Sequence, residues 1–172
     1  MLPIKPGADP VGKDRSPYKV SLSDFIERSC IRYERSIILR GLTELRACLH
    51  SIGLIQGFQW IDGSFMEHVE DTEARAPNDI DIVTYAFLPP GHSQKSFLPT
   101  LQPYLNRDQV KASYKVDHIV RILPQIDIHD VCYWYSLWSH RRDGMWKGYA
   151  EIDLAPVDDT QARALLAAKI GA

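Results

Sequence analysis

Between residues 38 and 49 the apolar positions fall at Ile38, Leu42, Leu45 and Leu49. Steps of four, three and four place them on one face of an α-helix. The pattern predicts a helix over about residues 33–51, stopped at Gly53. A shorter helix precedes it, capped by Ser21 or Ser23 and running to about Cys30. Downstream the period becomes that of strands. Phe58 to Asp62 reads as a first strand, and Asp79 to Ala86 as a second that Pro89-Pro90-Gly91 closes. Tyr114 to Ile122 reads as a third strand and Lys147 to Leu154 as a fourth. Phe65 to Glu73 suits a helical turn or short helix, and Ala74 to Asn78 a loop. A helix interrupted by Pro99 and Pro103 is expected within 93–108. Ile128 to Trp138 predicts an aromatic helix packed on the sheet, with Trp134 and Trp138 on one face. Asp143-Gly144 marks a tight turn. Asp158 or Asp159 opens a terminal helix reaching Ala168.

This order of elements predicts an α+β fold, a short mixed sheet of four or five strands with helices mainly on one side. The 172 residues suit one domain, with residues 1–20 as a Pro- and Gly-bearing irregular arm and 21–172 as the folded unit. A net charge of −2 argues against a broadly basic nucleic-acid surface. Cys30, Cys48 and Cys132 fit neither a disulfide framework nor a metal motif, which points to a reducing compartment. No apolar run reaches the roughly 18–20 residues that span a bilayer, and no signal peptide is visible, so a cytoplasmic protein without a membrane partner is expected. Arg28, Arg32 and Arg35 share a face if helix runs through all three. That face would meet an acidic partner or RNA, or would be a solvated surface balanced by Glu27 and Glu34.

The chemistry concentrates in two stretches. Trp60-Ile61-Asp62-Gly63-Ser64-Phe65 runs a strand into a Gly-Ser turn, which can offer backbone N–H groups and a hydroxyl to a phosphate. Pro77-Asn78-Asp79-Ile80-Asp81-Ile82-Val83 then carries two aspartates at i and i+2, on one face of a strand. Like charges held together persist most readily around a cation, so the pair suits Mg²⁺ or Mn²⁺ and the turn a nucleoside triphosphate. Chance alone predicts about two Asp-x-Asp/Glu triplets in such a chain. Asp71-Thr72-Glu73 and Glu151-Ile152-Asp153 also occur, but neither has both a strand and an upstream Gly-Ser turn. A third carboxylate is expected where two metals serve phosphoryl chemistry. Asp117, inside an apolar strand, is the first choice, with Asp127, Asp130 and Asp153 as rivals. His118 should face away from Asp117, and Asp127-Ile128-His129-Asp130 reads as a helix start. Arg141, Arg142 and Lys147 surround the turn at Asp143-Gly144. They read either as cations for a triphosphate or as solvated hairpin charges. No Walker loop, Gly-x-Ser-x-Gly elbow or His-Glu-x-x-His motif is present.

At Gly63-Ser64, Asp79-x-Asp81 and Asp117 the chain resembles the nucleotidyltransferase superfamily of the DNA polymerase beta type, over about 60 residues. Across most of its length it looks like a family of small uncharacterised bacterial proteins with nucleotidyltransferase-like cores. That likeness rests on Ser16-Pro17-Tyr18-Lys19-Val20-Ser21-Leu22, Gly57 to Phe65, Pro77 to Thr84, Tyr133-Trp134 and Arg141 to Gly148. The resemblance implies transfer of a nucleoside monophosphate from an NTP, ATP first, to a hydroxyl of RNA, protein or a small molecule. A toxin–antitoxin or phage-defence setting is among the contexts it suggests. Asp79 and Asp81 would bridge the metals and Asp117 would hold the acceptor-side metal. Gly63 and Ser64 would take the β- and γ-phosphates, with Arg141 and Lys147 as further phosphate ligands. Larger relatives add a helical domain that grips the nucleotide, whereas about 55 residues follow Asp117 here. The N-terminal helices, the aromatic helix, a second protomer or a partner protein would have to supply that grip. A nucleotide-sensing or partner-binding module on the same fold is the alternative.

Overall fold

The computed structural model describes residues 12, 13 and 15–171. The expectation for residues 1–11 and 14 of the arm lies outside the described residues. A short strand, β1 (Tyr18–Lys19), opens the fold within the segment read as irregular. Two helices follow, α1 (Leu22–Ser29) and α2 (Tyr33–Ser51). The Ser21 side chain accepts from the Asp24 N–H and caps α1. Gly53, at φ 90°, ends α2 by donating to His50, while Leu54 donates back to Leu49 at 3.0 Å. Strand β2 (Gly57–Asp62) leads through a 3₁₀ turn (Ser64–Met66) and one helical turn, α3 (Val69–Thr72), into β3 (Ile80–Phe87).

The next stretch departs from the sequence reading. Helix α4 (Gln94–Leu101) starts at a Ser93/Ser96 capping box and carries through Pro99. A separate helix, α5 (Arg107–Tyr114), is capped by Asn106. Tyr114 therefore ends a helix rather than opening a strand. Lys115, at φ 55°, turns the chain, and β4 (Val116–Leu123) begins. The aromatic helix is α6 (Ile128–Trp138). Strand β5 (Ala150–Asp153) is shorter than expected, starting after Lys147, and α7 (Asp159–Gly171) completes the described chain.

The five strands form one mixed sheet in the order β1-β5-β2-β3-β4, so the fold is α+β as expected. β2 pairs antiparallel with both β5 and β3, whereas β3–β4 and β1–β5 are parallel. Strand alternation splits β3 between two cores. Ile80, Ile82 and Ala86 join the main core with Ile38, Leu39, Leu42, Leu45 and Leu49 of α2. Leu22 and Phe25 of α1, Val110 of α5 and Leu166 of α7 complete that layer. Each such side chain, fully buried, contributes roughly 1.5–3 kcal/mol. Val83 and Tyr85 face the other way, against Trp60, Tyr149 and the two α6 indoles, Trp134 and Trp138. At Gly41, α2 meets the end of α5 backbone to backbone: a Cβ there would lie 1.7 Å from the Tyr114 carbonyl oxygen.

A buried polar chain crosses the sheet on the α2 side. Arg46, 1% exposed, donates to both carboxylate oxygens of Asp159, at 2.9 and 2.7 Å, and to Gln59 Oε1 at 2.7 Å. The Gln59 amide donates to Thr84 Oγ1 at 2.9 Å, which lies 2.8 Å from His118 Nε2. Five elements are thus linked through side chains that would be costly to bury unpaired. His118 faces away from the Asp117 side of β4, as alternation requires, and burial pushes its pKa down to about 4. Among the described residues no helix is long and apolar enough to cross a membrane.

The Arg46–Asp159 pair yields a stability test. Arg46→Met leaves a buried carboxylate without its cation and should cost about 3–5 kcal/mol in urea unfolding. Arg46→Met with Asp159→Leu should recover a large part of that loss. A single variant as stable as wild type would show that the pair does not hold α2 to α7.

Candidate functional site

The site begins where β2 ends. Gly63 has φ 88° and ψ −172°, and a Cβ there would stand 1.9 Å from Asp81 Oδ2. Only glycine combines that backbone with that contact. The following 3₁₀ turn is fixed from below by Arg35, which is 3% exposed. Its guanidinium donates to the carbonyls of Phe65 at 2.7 Å and Glu67 at 2.6 Å, and lies over the Phe65 ring at 4.9 Å. It also grips Glu70 bidentately, at 2.6 and 2.8 Å. Those hydrogen bonds hold the Glu70 carboxyl down at about 2.

The arginine face expected from sequence does not form. Cys30 and Arg32 leave the helical conformation between α1 and α2, which turns Arg35 into the protein. Arg32 pairs with Asp71 at 3.2 Å instead.

Beside the turn, strand register assembles a row of carboxylates. Asp62 of β2 is the direct partner of Asp81 on β3, and Asp81 is the direct partner of Asp117 on β4. Asp79 precedes Asp81 by two positions and lies just before the strand. All four line one open cleft of ≈ 1010 Å³, together with Gly63, Ser64, Glu67, Lys111, Arg141 and Lys147. Burial, then the charges of Asp79 and Asp117, raise the Asp81 carboxyl to about 6. Burial raises Asp62 further, to about 7, although Lys147 lies 2.9 Å from its Oδ2. Asp62 Oδ1 is buried without a hydrogen-bond partner.

Cations are arranged at both ends of the row. Arg107 and Lys111 stand one turn apart on α5. Arg107 binds Asp117 Oδ1 at 2.7 Å, while the Lys111 ammonium binds Asp79 and reaches Asp117 Oδ2 at 3.7 Å. At the other end Lys147 bridges Asp62 and Glu67, the latter at 3.3 Å, and accepts no solvated-hairpin description, being 7% exposed. Arg141 binds Glu67 at 3.1 Å and Asp143 at 3.6 Å. Both residues expected as phosphate ligands are therefore in the cleft but engaged with carboxylates, and they tie the 139–147 segment to the Gly-Ser turn. Arg142 is exposed and also lines the cleft.

The rivals of Asp117 are elsewhere occupied. Asp127 caps α6 by accepting from the His129 N–H at 2.9 Å. Asp130 is gripped by Arg121 at 2.7 Å through both oxygens. Asp153 accepts from the Ala155 N–H at 2.8 Å. Sequence reasoning missed Asp62, Glu67 and Lys111. Asp62 carried a signal, since it shares the alternating face of Trp60 at the end of the first strand.

Among the described residues no three Asp, Glu, His or Cys side chains converge closely enough to hold a metal ion as they stand. The donor set nevertheless suits a hard divalent cation. It offers oxygen ligands alone, its carboxylates repel one another, one buried oxygen is unpartnered, and an ammonium sits against two of the acids. The family model described as "Family of unknown function (DUF6932)" matches residues 4–153. No curated protein and no solved structure matches the chain.

The raised Asp81 carboxyl generates a pH test. Between its unfolded value near 4 and about 6, the folded protein binds more protons than the unfolded chain. Stability contributed by that group is present at low pH and lost as pH rises through this window. His118 acts with the opposite slope, because its lowered pKa favours folding as pH rises from about 4 to 6.5. Asp81→Asn removes the first contribution and relieves Asp62 of the part of its own rise that the Asp81 charge causes, which has the same sign, while the contribution of His118 stays. In metal-free buffer the melting temperature of the variant, relative to wild type, should rise from pH 5 to pH 8. Parallel pH profiles would show that Asp81 is not electrostatically strained.

Proposed function

The chain belongs to the DUF6932 family, and we propose that it is a metal-dependent nucleotidyltransferase acting on an NTP, ATP being the first to test. The observation that carries this reading is the register match of Asp81 with Asp117, beside a Gly63 turn that touches Asp81 and admits no side chain. Asp79, Asp81 and Asp117 are the residues that would hold Mg²⁺ or Mn²⁺. A divalent cation bound there would neutralise charge developing on the transferring phosphoryl group and lower the pKa of a bound hydroxyl. The Ser64 hydroxyl and the backbone N–H groups of the turn would donate to the β- and γ-phosphates.

In the transfer step an acceptor oxygen bonds to the α-phosphorus, the bond to the β-phosphate oxygen breaks, and pyrophosphate leaves with that electron pair. The acceptor proton passes to an Asp117 carboxylate oxygen. Arg35, Arg141 and Lys147 act as positioning residues, holding the turn through the Phe65 and Glu67 carbonyls and the Glu67 carboxylate. A direct phosphate contact from Arg141 or Lys147 requires release from Glu67. The acceptor is a hydroxyl of RNA, protein or a small molecule.

One observation favours a second reading, a nucleotide-sensing module without turnover. Both outer carboxylates, Asp79 and Asp117, are already paired with cations of α5. Labelled NTPs, Mg²⁺ or Mn²⁺, and host RNA, protein extract or simple polyols separate the two. Transfer should appear with wild type and fall by at least roughly a hundredfold in Asp79→Ala/Asp81→Ala, as expected where metal positioning supplies much of the catalysis. Transfer that survives the double substitution would refute the assignment. Saturable, metal-dependent NTP binding without any product would establish the sensing module instead.

A further inference from the structure

Lys111 is the feature of the cleft that neither the turn nor the carboxylate row explains. It stands on α5, outside the sheet that carries the acids, and its ammonium is set against Asp79 and near Asp117. Its side chain is 47% exposed, so the charge can leave without opening the core. Arg107, at i−4 on the same helix, holds the other oxygen of Asp117 and is 55% exposed. The pairing raises the Lys111 pKa above the ordinary lysine value, chiefly through the hydrogen bond to Asp79, so the ammonium is fully charged at neutral pH. The opposite end of the row has a different kind of cation. Lys147 is 6% exposed at its side chain and fixed between Asp62, Glu67 and the Gly63 carbonyl. One lysine is therefore built in, and the other is placed to move.

We infer that Lys111 is an exchangeable counter-cation: it neutralises Asp79 and Asp117 in the metal-free protein, is displaced from them by a divalent cation, and then binds the phosphates of the incoming nucleotide. The inference rests on the metal-dependent reading of the site and adds a phosphate ligand to it. Two facts besides the acidic cluster support the exchange. Asp62 Oδ1 is buried in the same cleft with no partner, so the row has oxygen ligand capacity that the lysines leave unused. Asp81, in the middle of the row, has no cation partner of its own within ion-pair distance among the described residues, whereas both its outer neighbours do. A divalent ion entering at Asp81 competes with Lys111 for Asp79 and Asp117, and the expelled ammonium, on a residue that lines the cleft, meets the most anionic part of the nucleotide.

The exchange predicts effects of opposite sign from one substitution. Lys111→Met keeps the stem and removes the charge. Titration calorimetry of the full chain with Mn²⁺ alone should give affinity roughly twofold to fivefold tighter than wild type, the size expected for losing one partly exposed competing ion pair. At saturating Mn²⁺, a non-transferable ATP analogue with a methylene between the α- and β-phosphates should bind more weakly to the variant by a similar factor. Lys111→Arg, which retains the charge, should behave as wild type in both titrations. Melting in EDTA provides a readout independent of binding. Lys111→Met should melt below wild type there, because Asp79 and Asp117 lose a counter-charge, and Mn²⁺ should raise its melting temperature by more than it raises that of wild type.

Unchanged or weaker Mn²⁺ binding by Lys111→Met, or unchanged nucleotide binding, overturns the exchange. Asp79→Asn identifies which idea has failed. If wild type binds Mn²⁺ and Asp79→Asn does not, an unresponsive Lys111→Met removes this inference alone. If neither wild type nor Lys111→Met binds Mn²⁺ at millimolar concentration, the metal-dependent function falls with it.

Discussion

The position of β3 constrains everything else in the fold. It is paired antiparallel on one side and parallel on the other, and its alternating residues serve opposite purposes. A slip by one residue would send Ile80, Ile82 and Thr84 to the cleft side and bury Asp81 under α2. Two devices oppose that slip. The apolar set is specified by the main core, and Thr84 is held between Gln59 and His118 by hydrogen bonds available in one register only. Through Gln59 the same chain reaches Arg46 and Asp159, so the placement of α7 is tied to that of β3. The carboxylate row is the other face of this arrangement. Its geometry is inherited from a register that buried groups, and not the acids themselves, determine.

The cleft concentrates negative charge against a dry sheet and tolerates it by several means. Asp62 receives a buried ammonium, Glu67 shares that ammonium with a guanidinium, and Asp117 and Asp79 receive cations from α5. Asp81 is left with a raised proton affinity instead. Arg35 and Glu70 form a separate, internally balanced pair that supports the turn. Removing the balancing residues one at a time therefore has unequal consequences. Those at the buried end support the turn, whereas those on α5 touch only the carboxylates and solvent.

Elements with a strong period were legible in the sequence, and those without one were not. Helix α2 was read to its observed ends because four buried leucine and isoleucine side chains mark its stripe and Gly53 marks its stop. The two site strands were found through their apolar alternation, and Asp117 was ranked above its rivals because it lay inside an apolar strand that could pair beside the Asp79 strand. Helix α5 was missed because Val110 is its only buried residue, too little for a stripe. Lys111 was lost with it. Asp62 was visible as a strand-end acid, but its place beside Asp81 depends on pairing register, which is a relation between segments distant in sequence. Arg35 looked like a surface charge because the break at 30–32 that turns it inward has no Gly or Pro to announce it. Tyr18–Lys19 became a strand by joining the edge of β5, a contact that two residues cannot advertise.

The bare contact between Gly41 and Tyr114 has a dynamic consequence. With no side chain between them, α2 and the end of α5 are already at their distance of closest approach, and the αL turn at Lys115 fastens α5 directly to β4. Helix α5 has no slack through which to slide or tilt towards α2. Its arginine and lysine can move relative to the carboxylates by rotation about side-chain bonds, which for exposed residues takes picoseconds to nanoseconds. Charge rearrangement in this cleft would then be fast compared with any closure of a domain, and the backbone around it would look the same before and after.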